Sequence, residues 1–253
     1  MSRTIVVTGS ASGIGKATAE LFVSQGHSVI GVDIKEADVV ADLSNAEGRQ
    51  KMVDEVTAKT SGVLDAVVAC AGLSRPDPIT VAVNYYGAIA TLEGLRPLLE
   101  KADKPRAAVI ASVAATFENV PELVEACLSG DEAHALQVAD GKGDAIYAST
   151  KNALAQWVRL TAPNDNWAGK GILLNTIGPG VVETPMTEAL LGDEETVAFM
   201  RTLMPLPLGN HAQPEEIAHL LAFLVSPENS HMVGQMIYVD GGGEATKRGA
   251  EVF

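Results

Sequence analysis

Seven short apolar runs alternate with helical stretches along this chain, and that alternation leaves little choice of architecture. The runs are Ile5–Val7, Ser28–Asp33, Val39–Ala41, Leu64–Cys70, Ala107–Ser112, Gly171–Ile177 and Gln235–Asp240. Near-continuous apolar runs belong to strands buried on both faces, and strands separated by helices pair in parallel. Helices are predicted from about Lys16, over Ala46–Thr60 and Val81–Lys101, around Tyr147, and over Glu215–Val225 with Pro214 at the first helical position. The fold class is therefore α/β: a single Rossmann-type, doubly wound, mostly parallel seven-stranded sheet with helices on both faces. The 253 residues fit one such domain, 1–253.

The first strand–helix junction carries Thr8-Gly9-Ser10-Ala11-Ser12-Gly13-Ile14-Gly15. Glycines there let the backbone turn tightly and approach a pyrophosphate, while the helix N-terminus offers unpaired amides to the anion. The strand–loop–helix context turns the spacing into a dinucleotide-binding signal rather than a bare tight turn. The second strand ends in Asp33, eighteen residues after Gly15. An acid at that point accepts from adenosine ribose hydroxyls and repels a 2′-phosphate, favouring NAD(H) over NADP(H). Lys35 is close enough to leave that preference open.

Tyr147 and Lys151 lie four residues apart, one turn along a helix. An ammonium held near a phenol favours phenolate, lowering a pKa that is ordinarily about 10. A tyrosine so tuned can exchange a proton near neutral pH, as carbonyl–alcohol interconversion requires. In an α/β sheet the ligand sits beyond the carboxyl ends of the strands, where the glycine loop, Asp33, Gly72, Ser112 and Pro179-Gly180 all fall.

A net charge of −14 argues against nucleic acid and anionic membranes as partners. No apolar run is long enough to span a bilayer. A strand begins within four residues of the start, leaving no room for a leader. With Cys70 in a predicted core strand, a Cys70–Cys127 disulfide is not expected, and the setting read from this is cytoplasmic. The five histidines lack metal-ligand spacing, so no metal is expected.

Thr8-Gly9-x-x-x-Gly13-x-Gly15, Asp42-Leu43, Ala71-Gly72, Asn84, Ser112, Tyr147-x-x-x-Lys151, Pro179-Gly180 and Thr184 together make the chain resemble the short-chain dehydrogenase/reductases over essentially its full length. Val83-Asn84-Tyr85-Tyr86-Gly87, Cys70-Ala71-Gly72 and the ending after Asp240-Gly241-Gly242 resemble the bacterial 3α-hydroxysteroid dehydrogenase/carbonyl reductase group within it. The resemblance implies catalytic roles for Asn84, Ser112, Tyr147 and Lys151. Tyr147 would exchange the proton, Lys151 would tune it and hold the nicotinamide ribose, Ser112 would bind the carbonyl oxygen, and Asn84 would hold a relay water. It implies cofactor contacts at Gly9, Ser12, Gly13, Ile14, Gly15, Asp33, Asp42, Leu43, Ala71, Gly72, Tyr147, Lys151, Pro179, Gly180, Val182 and Thr184. Asp42 and Leu43 would meet adenine, and Val182 and Thr184 the carboxamide. A non-catalytic NAD-binding regulator is the reading from another class; the intact Ser112, Tyr147 and Lys151 weigh against it.

Three departures from the family pattern stand out. Cys70 replaces an asparagine that ordinarily braces the sheet, and is read as buried packing. Pro163 should kink or end the Tyr147 helix beyond the catalytic turn. Between Ser112 and Tyr147 lie 34 residues (113–146), far more than most family members carry. This insertion reads as two short amphipathic helices, Pro121–Leu128 and Asp131–Ala139, separated by Ser129-Gly130. Lying beside the helices most family members use to form tetramers, it would favour a homodimer; a solvated flap over the active site is the alternative. Selectivity is expected from Ser74–Thr80, from the region after Ser112, and from Pro185–Leu208, rich in Leu and Met. That last stretch reads equally as pocket wall or as core. The expected substrate is a small apolar carbonyl or alcohol, a steroid first, with smaller cyclic or xenobiotic carbonyl compounds as the alternative.

Overall fold

The computed structural model describes residues 2–252. In chain order its elements are β1 (Thr4–Thr8), α1 (Gly13–Ser24), β2 (Ser28–Asp33), β3 (Val39–Val40), α2 (Ala46–Lys59) and β4 (Ala66–Ala69). A composite helix follows: α3 (Ile79–Val81), a π-helical segment (Ala82–Gly87) and α4 (Ala88–Leu99). Then come β5 (Arg106–Ile110), a 3₁₀ turn (Val113–Thr116), α5 (Pro121–Ser129), α6 (Glu132–Ala139) and α7 (Ala145–Thr161). The chain closes with β6 (Leu173–Pro179), α8 (Glu188–Leu191), α9 (Glu194–Leu203), α10 (Pro214–Leu224), β7 (Met236–Val239) and α11 (Gly243–Arg248).

The seven strands form one sheet in the order β3-β2-β1-β4-β5-β6-β7, and every pairing is parallel. Side chains alternate between two apolar layers, as the pleat requires. Ile5, Val7, Ala66 and Val68 point to the layer that holds Phe22 of α1 and Ile217 and Leu221 of α10. Val6, Val67 and Ala69 point to the opposite layer, with Met52 of α2, Leu92 and Leu95 of α4 and Leu154 of α7. Strand order reverses between β1 and β4, so a crevice opens there beyond the carboxyl ends.

Local chemistry explains the helix boundaries. The Asn45 side chain accepts from the Gly48 amide and starts α2 (2.8 Å). Pro214 opens α10 behind a Gln213–Glu216 capping box. α7 stops at Thr161, two residues before Pro163.

The insertion is packed, not a flap. Pro121 starts α5, Gly130 ends it in the left-handed region (φ 80°), and Asp131 caps α6 by accepting from the His134 amide at 3.0 Å. Leu123, Cys127, Ala135 and Ala139 are fully buried in the same layer as α4 and α7. No residue of 113–146 is among those lining the main cleft. The composite helix differs from the single helix predicted over 81–101. It starts at Ile79, and six residues adopt the wider π pitch.

Candidate active site

The carboxyl ends of β1, β2, β4, β5 and β6 enclose a cleft of about 460 Å³. Every residue expected at the site lines it except Asn84.

One end is the glycine loop. Gly9 has φ 69°, and a Cβ there would stand 3.0 Å from the Ala71 backbone. A Cβ on Gly15 would meet the Gly9 carbonyl oxygen at 2.1 Å, and one on Gly180 the Cα of Asp240 at 2.9 Å. These contacts leave no room for a side chain, so backbone alone faces the cleft at those points. Ser12 precedes α1 in extended conformation, with no side-chain cap, so the first amides of that helix open toward the cleft. The Thr8 hydroxyl accepts from the amides of Cys70 and Ala71 (3.1 Å each), locking the β1 and β4 ends together.

Asp33 accepts from the Ala11 amide (3.0 Å) and the Ile34 amide (2.7 Å), fixing its carboxylate at the rim. Ile34 and Lys35 line the cleft beside it. Asp42 accepts from the Ser44 amide (2.9 Å), and its bonds to Ser44 hold the carboxyl below its ordinary range. Across the cleft, Val182 bridges to Ala212, while the Thr187 hydroxyl donates to the Val182 carbonyl and accepts from the Thr184 amide (3.1 Å). Thr187 was not singled out from the sequence. Its signal is only a hydroxyl three residues beyond Thr184, a spacing that local hydroxyl–backbone turns reuse.

At the other end Ser112 leaves β5 and caps the 3₁₀ turn, its Oγ accepting from the Ala114 amide (3.1 Å). Its own O–H remains available to donate. Tyr147 and Lys151 project from α7 into the same space. Lys151 is only 4% exposed, and its Nζ donates to the Ile110 carbonyl at 2.9 Å. Burial pushes its pKa down from 10.5 to about 8, against a smaller opposing influence from Cys70.

The structure corrects two sequence expectations, at Tyr147 and Cys70, and places two further groups, Asn84 and the Leu/Met stretch. Burial raises the Tyr147 pKa, and the influence that lowers it comes from the neighbouring Ser112 hydroxyl, not from Lys151, whose ammonium is engaged at Ile110. Cys70 is not in the strand: β4 ends at Ala69, and Cys70 lines the cleft with a thiol that burial pushes up to about 12, so it stays protonated. Asn84 is fully buried behind Gly72. Its Oδ1 accepts from the Leu73 amide (2.7 Å), and its Nδ2 donates to the Leu73 carbonyl (2.9 Å) and the Thr150 hydroxyl (3.3 Å). A second lone pair on Oδ1 is all its side chain has left for a water. Lastly, most of the Leu/Met stretch turns away from the cleft. Leu190, Leu191, Met200, Met204 and Leu206 converge on one another, Phe199 and Leu208 face solvent, and only Pro185, Met186 and Thr187 join the lining.

A half-buried tyrosine, a buried lysine, a serine hydroxyl beside the phenol and a glycine-lined anion cradle in one cleft can bind a dinucleotide and move a proton beside it. Comparison with known proteins agrees. The short chain dehydrogenase family model matches residues 3–124, and the enoyl-(acyl carrier protein) reductase model matches residues 132–244. The chain is 40% identical over 254 residues to the 3-alpha-hydroxysteroid dehydrogenase/carbonyl reductase of Comamonas testosteroni, covering 96% of this chain and 97% of that one. It is 29% identical to the cis-4-hydroxycyclohexanecarboxylate dehydrogenase of Sinomonas cyclohexanicum, with 95% and 96% covered. The crystal structure of 3-alpha-hydroxysteroid dehydrogenase from Pseudomonas sp. B-0831, complexed with NADH, superposes with a TM-score of 0.90 at 40% identity, covering 97% and 98%. The chain belongs to the short-chain dehydrogenase/reductase family and is an oxidoreductase using a nicotinamide dinucleotide. No helix among the described residues is long and apolar enough to cross a membrane.

Proposed function

We propose that the chain interconverts a 3α-hydroxysteroid and its ketone with NAD(H). The observation that carries the reaction type is the convergence of Ser112, Tyr147 and Lys151 in the cleft rimmed by the glycine loop. The steroid assignment is supported by 40% identity over nearly the whole length of the Comamonas testosteroni enzyme. NAD(H) preference is supported by Asp33, whose carboxylate at the cleft rim would repel a 2′-phosphate.

The side-chain-free cradle at Gly9, Gly15 and Gly180 suits a pyrophosphate-bearing group, with Gly13, Ile14 and Ser12 completing the turn. Asp33 would hold the adenosine ribose, Asp42 and Leu43 the adenine, and Ala71 and Gly72 the central stretch. Pro179, Gly180, Val182 and Thr184 would hold the nicotinamide end. When bound, the dinucleotide supplies or takes up the hydride. The Ser112 hydroxyl donates to the substrate oxygen and stabilises the charge that develops on it. Tyr147 gives that oxygen its phenolic proton in reduction and takes the proton back in oxidation. Lys151 holds the nicotinamide ribose and carries positive charge beside the phenol. Asn84 fixes Leu73 behind Gly72, and the lone pair left on its Oδ1 would hold the relay water.

A second reading, a smaller cyclic carbonyl compound, is favoured by the short apolar wall, which holds Ile79, Val83, Pro185 and Met186 while α9 turns its apolar residues elsewhere. Reduced-nicotinamide absorbance with 3α-hydroxysteroids and simple cyclic alcohols, NAD and NADP in parallel, decides. Steroid turnover with NAD supports the first reading. Turnover of small alcohols alone supports the second, and preference for NADP would contradict the role given to Asp33.

A further inference from the structure

Arg49 lies on α2, a helix whose polar sequence reads as a solvated surface, yet its side chain is only 9% exposed. Its donors reach three separate parts of the chain. Nε donates to the Leu43 carbonyl (2.8 Å) and Nη2 to the Ser44 carbonyl (3.2 Å), both in the loop at the adenine end of the cleft. Nη2 also reaches the carbonyl of Ala82 (3.2 Å), the first residue of the π segment that carries Asn84. Nη1 and Nη2 then grip Glu132 of the insertion in a bidentate pair, at 2.7 and 2.6 Å. A planar guanidinium is the one side chain that can serve so many acceptors in fixed directions.

The loop it holds is gripped from two other sides. A Cβ on Gly48 would meet the Asp42 carbonyl oxygen at 2.0 Å, and a Cβ on Gly87 would stand 3.1 Å from Leu43 Cβ. Residues 42–44 are thus pinned between α2, the π segment and the guanidinium.

We propose that Arg49 is a positioning residue for cofactor affinity, and that the insertion sets the adenine pocket through Glu132. The proposal rests on reading the cleft as a nicotinamide-dinucleotide site. Glu132 supplies the countercharge that keeps the guanidinium buried, and the guanidinium holds the Leu43 and Ser44 carbonyls in place. Without Glu132 the guanidinium turns to water and the loop loosens. Arg49 touches none of Ser112, Tyr147 or Lys151, so cofactor affinity, not the chemical step, is what changes.

The test is NADH fluorescence titration, with ADP-ribose as competitor, on the full-length wild-type chain, Glu132→Ala, and the double variant Arg49→Met/Glu132→Leu. The double variant replaces the pair, whose Glu132 side chain is 32% exposed, with apolar groups, so that neither charge is left without its partner. Expected is about a tenfold weaker binding of NADH and of ADP-ribose in both variants. KM for cofactor should rise in step, kcat at saturating cofactor should stay within about twofold, and the double variant should melt within a few degrees of wild type. Wild-type affinity in both variants overturns the proposal, as does a loss of affinity that only tracks a fall in melting temperature. Failure of the wild-type chain to bind NADH or NADPH would overturn the cofactor reading itself, and the proposal with it.

Discussion

Lys151 Nζ lies 5.6 Å from the centroid of the Tyr147 ring and donates to the Ile110 carbonyl at the end of β5, not to the phenol oxygen. The two side chains that a helical turn brings together are therefore tuned separately. Lys151 sits where its charge is expensive, and Tyr147 is tuned from the other side by Ser112. Both statements lead to measurable consequences.

For the lysine, the direction follows from linkage. Its folded-state pKa is about 8, against 10.5 when unfolded. Between those values the unfolded chain binds the extra proton, so stability rises with pH there and is lost again as pH falls toward the folded value. Denaturation of wild type and Lys151→Met, followed from neutral to strongly alkaline pH, should show wild type gaining relative to the variant above about pH 8 and no change below it. A flat difference throughout would mean the ammonium is not desolvated.

Ser112→Ala removes both the donor to the substrate oxygen and the influence that lowers the Tyr147 pKa. Removing one such donor costs about a hundred- to a thousandfold in kcat. Alcohol oxidation needs the phenolate, so raising the tyrosine pKa should also move the rising limb of its pH profile to higher pH. A variant with lowered kcat and an unmoved limb would separate the two roles and remove Ser112 from the tuning of Tyr147.

Gly15→Ala would drive a methyl onto the Gly9 carbonyl oxygen, which is backbone and cannot swing away. Such overpacking costs about 1–3 kcal/mol. Chemical denaturation should register that loss and NADH binding should weaken with it. Unchanged stability and affinity would mean that the loop is not closed on itself as described.

The insertion covers the flank of α7 through α5, with Leu123 and Cys127 buried against it. We propose that this cover blocks the helix-to-helix packing that the family resemblance implies for a tetramer, so that the chain forms a homodimer. Light scattering should return twice the chain mass; four times would contradict this account of 113–146.

Local patterns carried much of this structure in the sequence, and tertiary placement decided the rest. β2 ends at Asp33, α10 begins at Pro214, and Gly130 divides the two insertion helices, because proline, glycine and apolar spacing act over a few residues. The π segment was not legible. It depends on burying Tyr85 and Tyr86 side by side and on Gly87 meeting Leu43, contacts set by the whole fold. The Leu and Met content of Pro185–Leu208 left open what those side chains face, and most of them meet one another around Leu206 rather than the cleft. Arg49 looked like one more charge on a polar helix, since carbonyls from residues 43, 44 and 82 gather around it only in the folded chain.

The most direct test of the account is Tyr147→Phe. Removing one hydroxyl from a residue that lines the cleft leaves the glycine cradle, Asp33 and Lys151 untouched. The variant should still bind NADH, within a few-fold of wild type since only one of many cofactor contacts changes, while losing about a hundred- to ten-thousandfold in kcat for ketone reduction and alcohol oxidation alike. A variant that binds NADH and turns over within a few-fold of wild type would contradict the account, because the proton would then come from elsewhere.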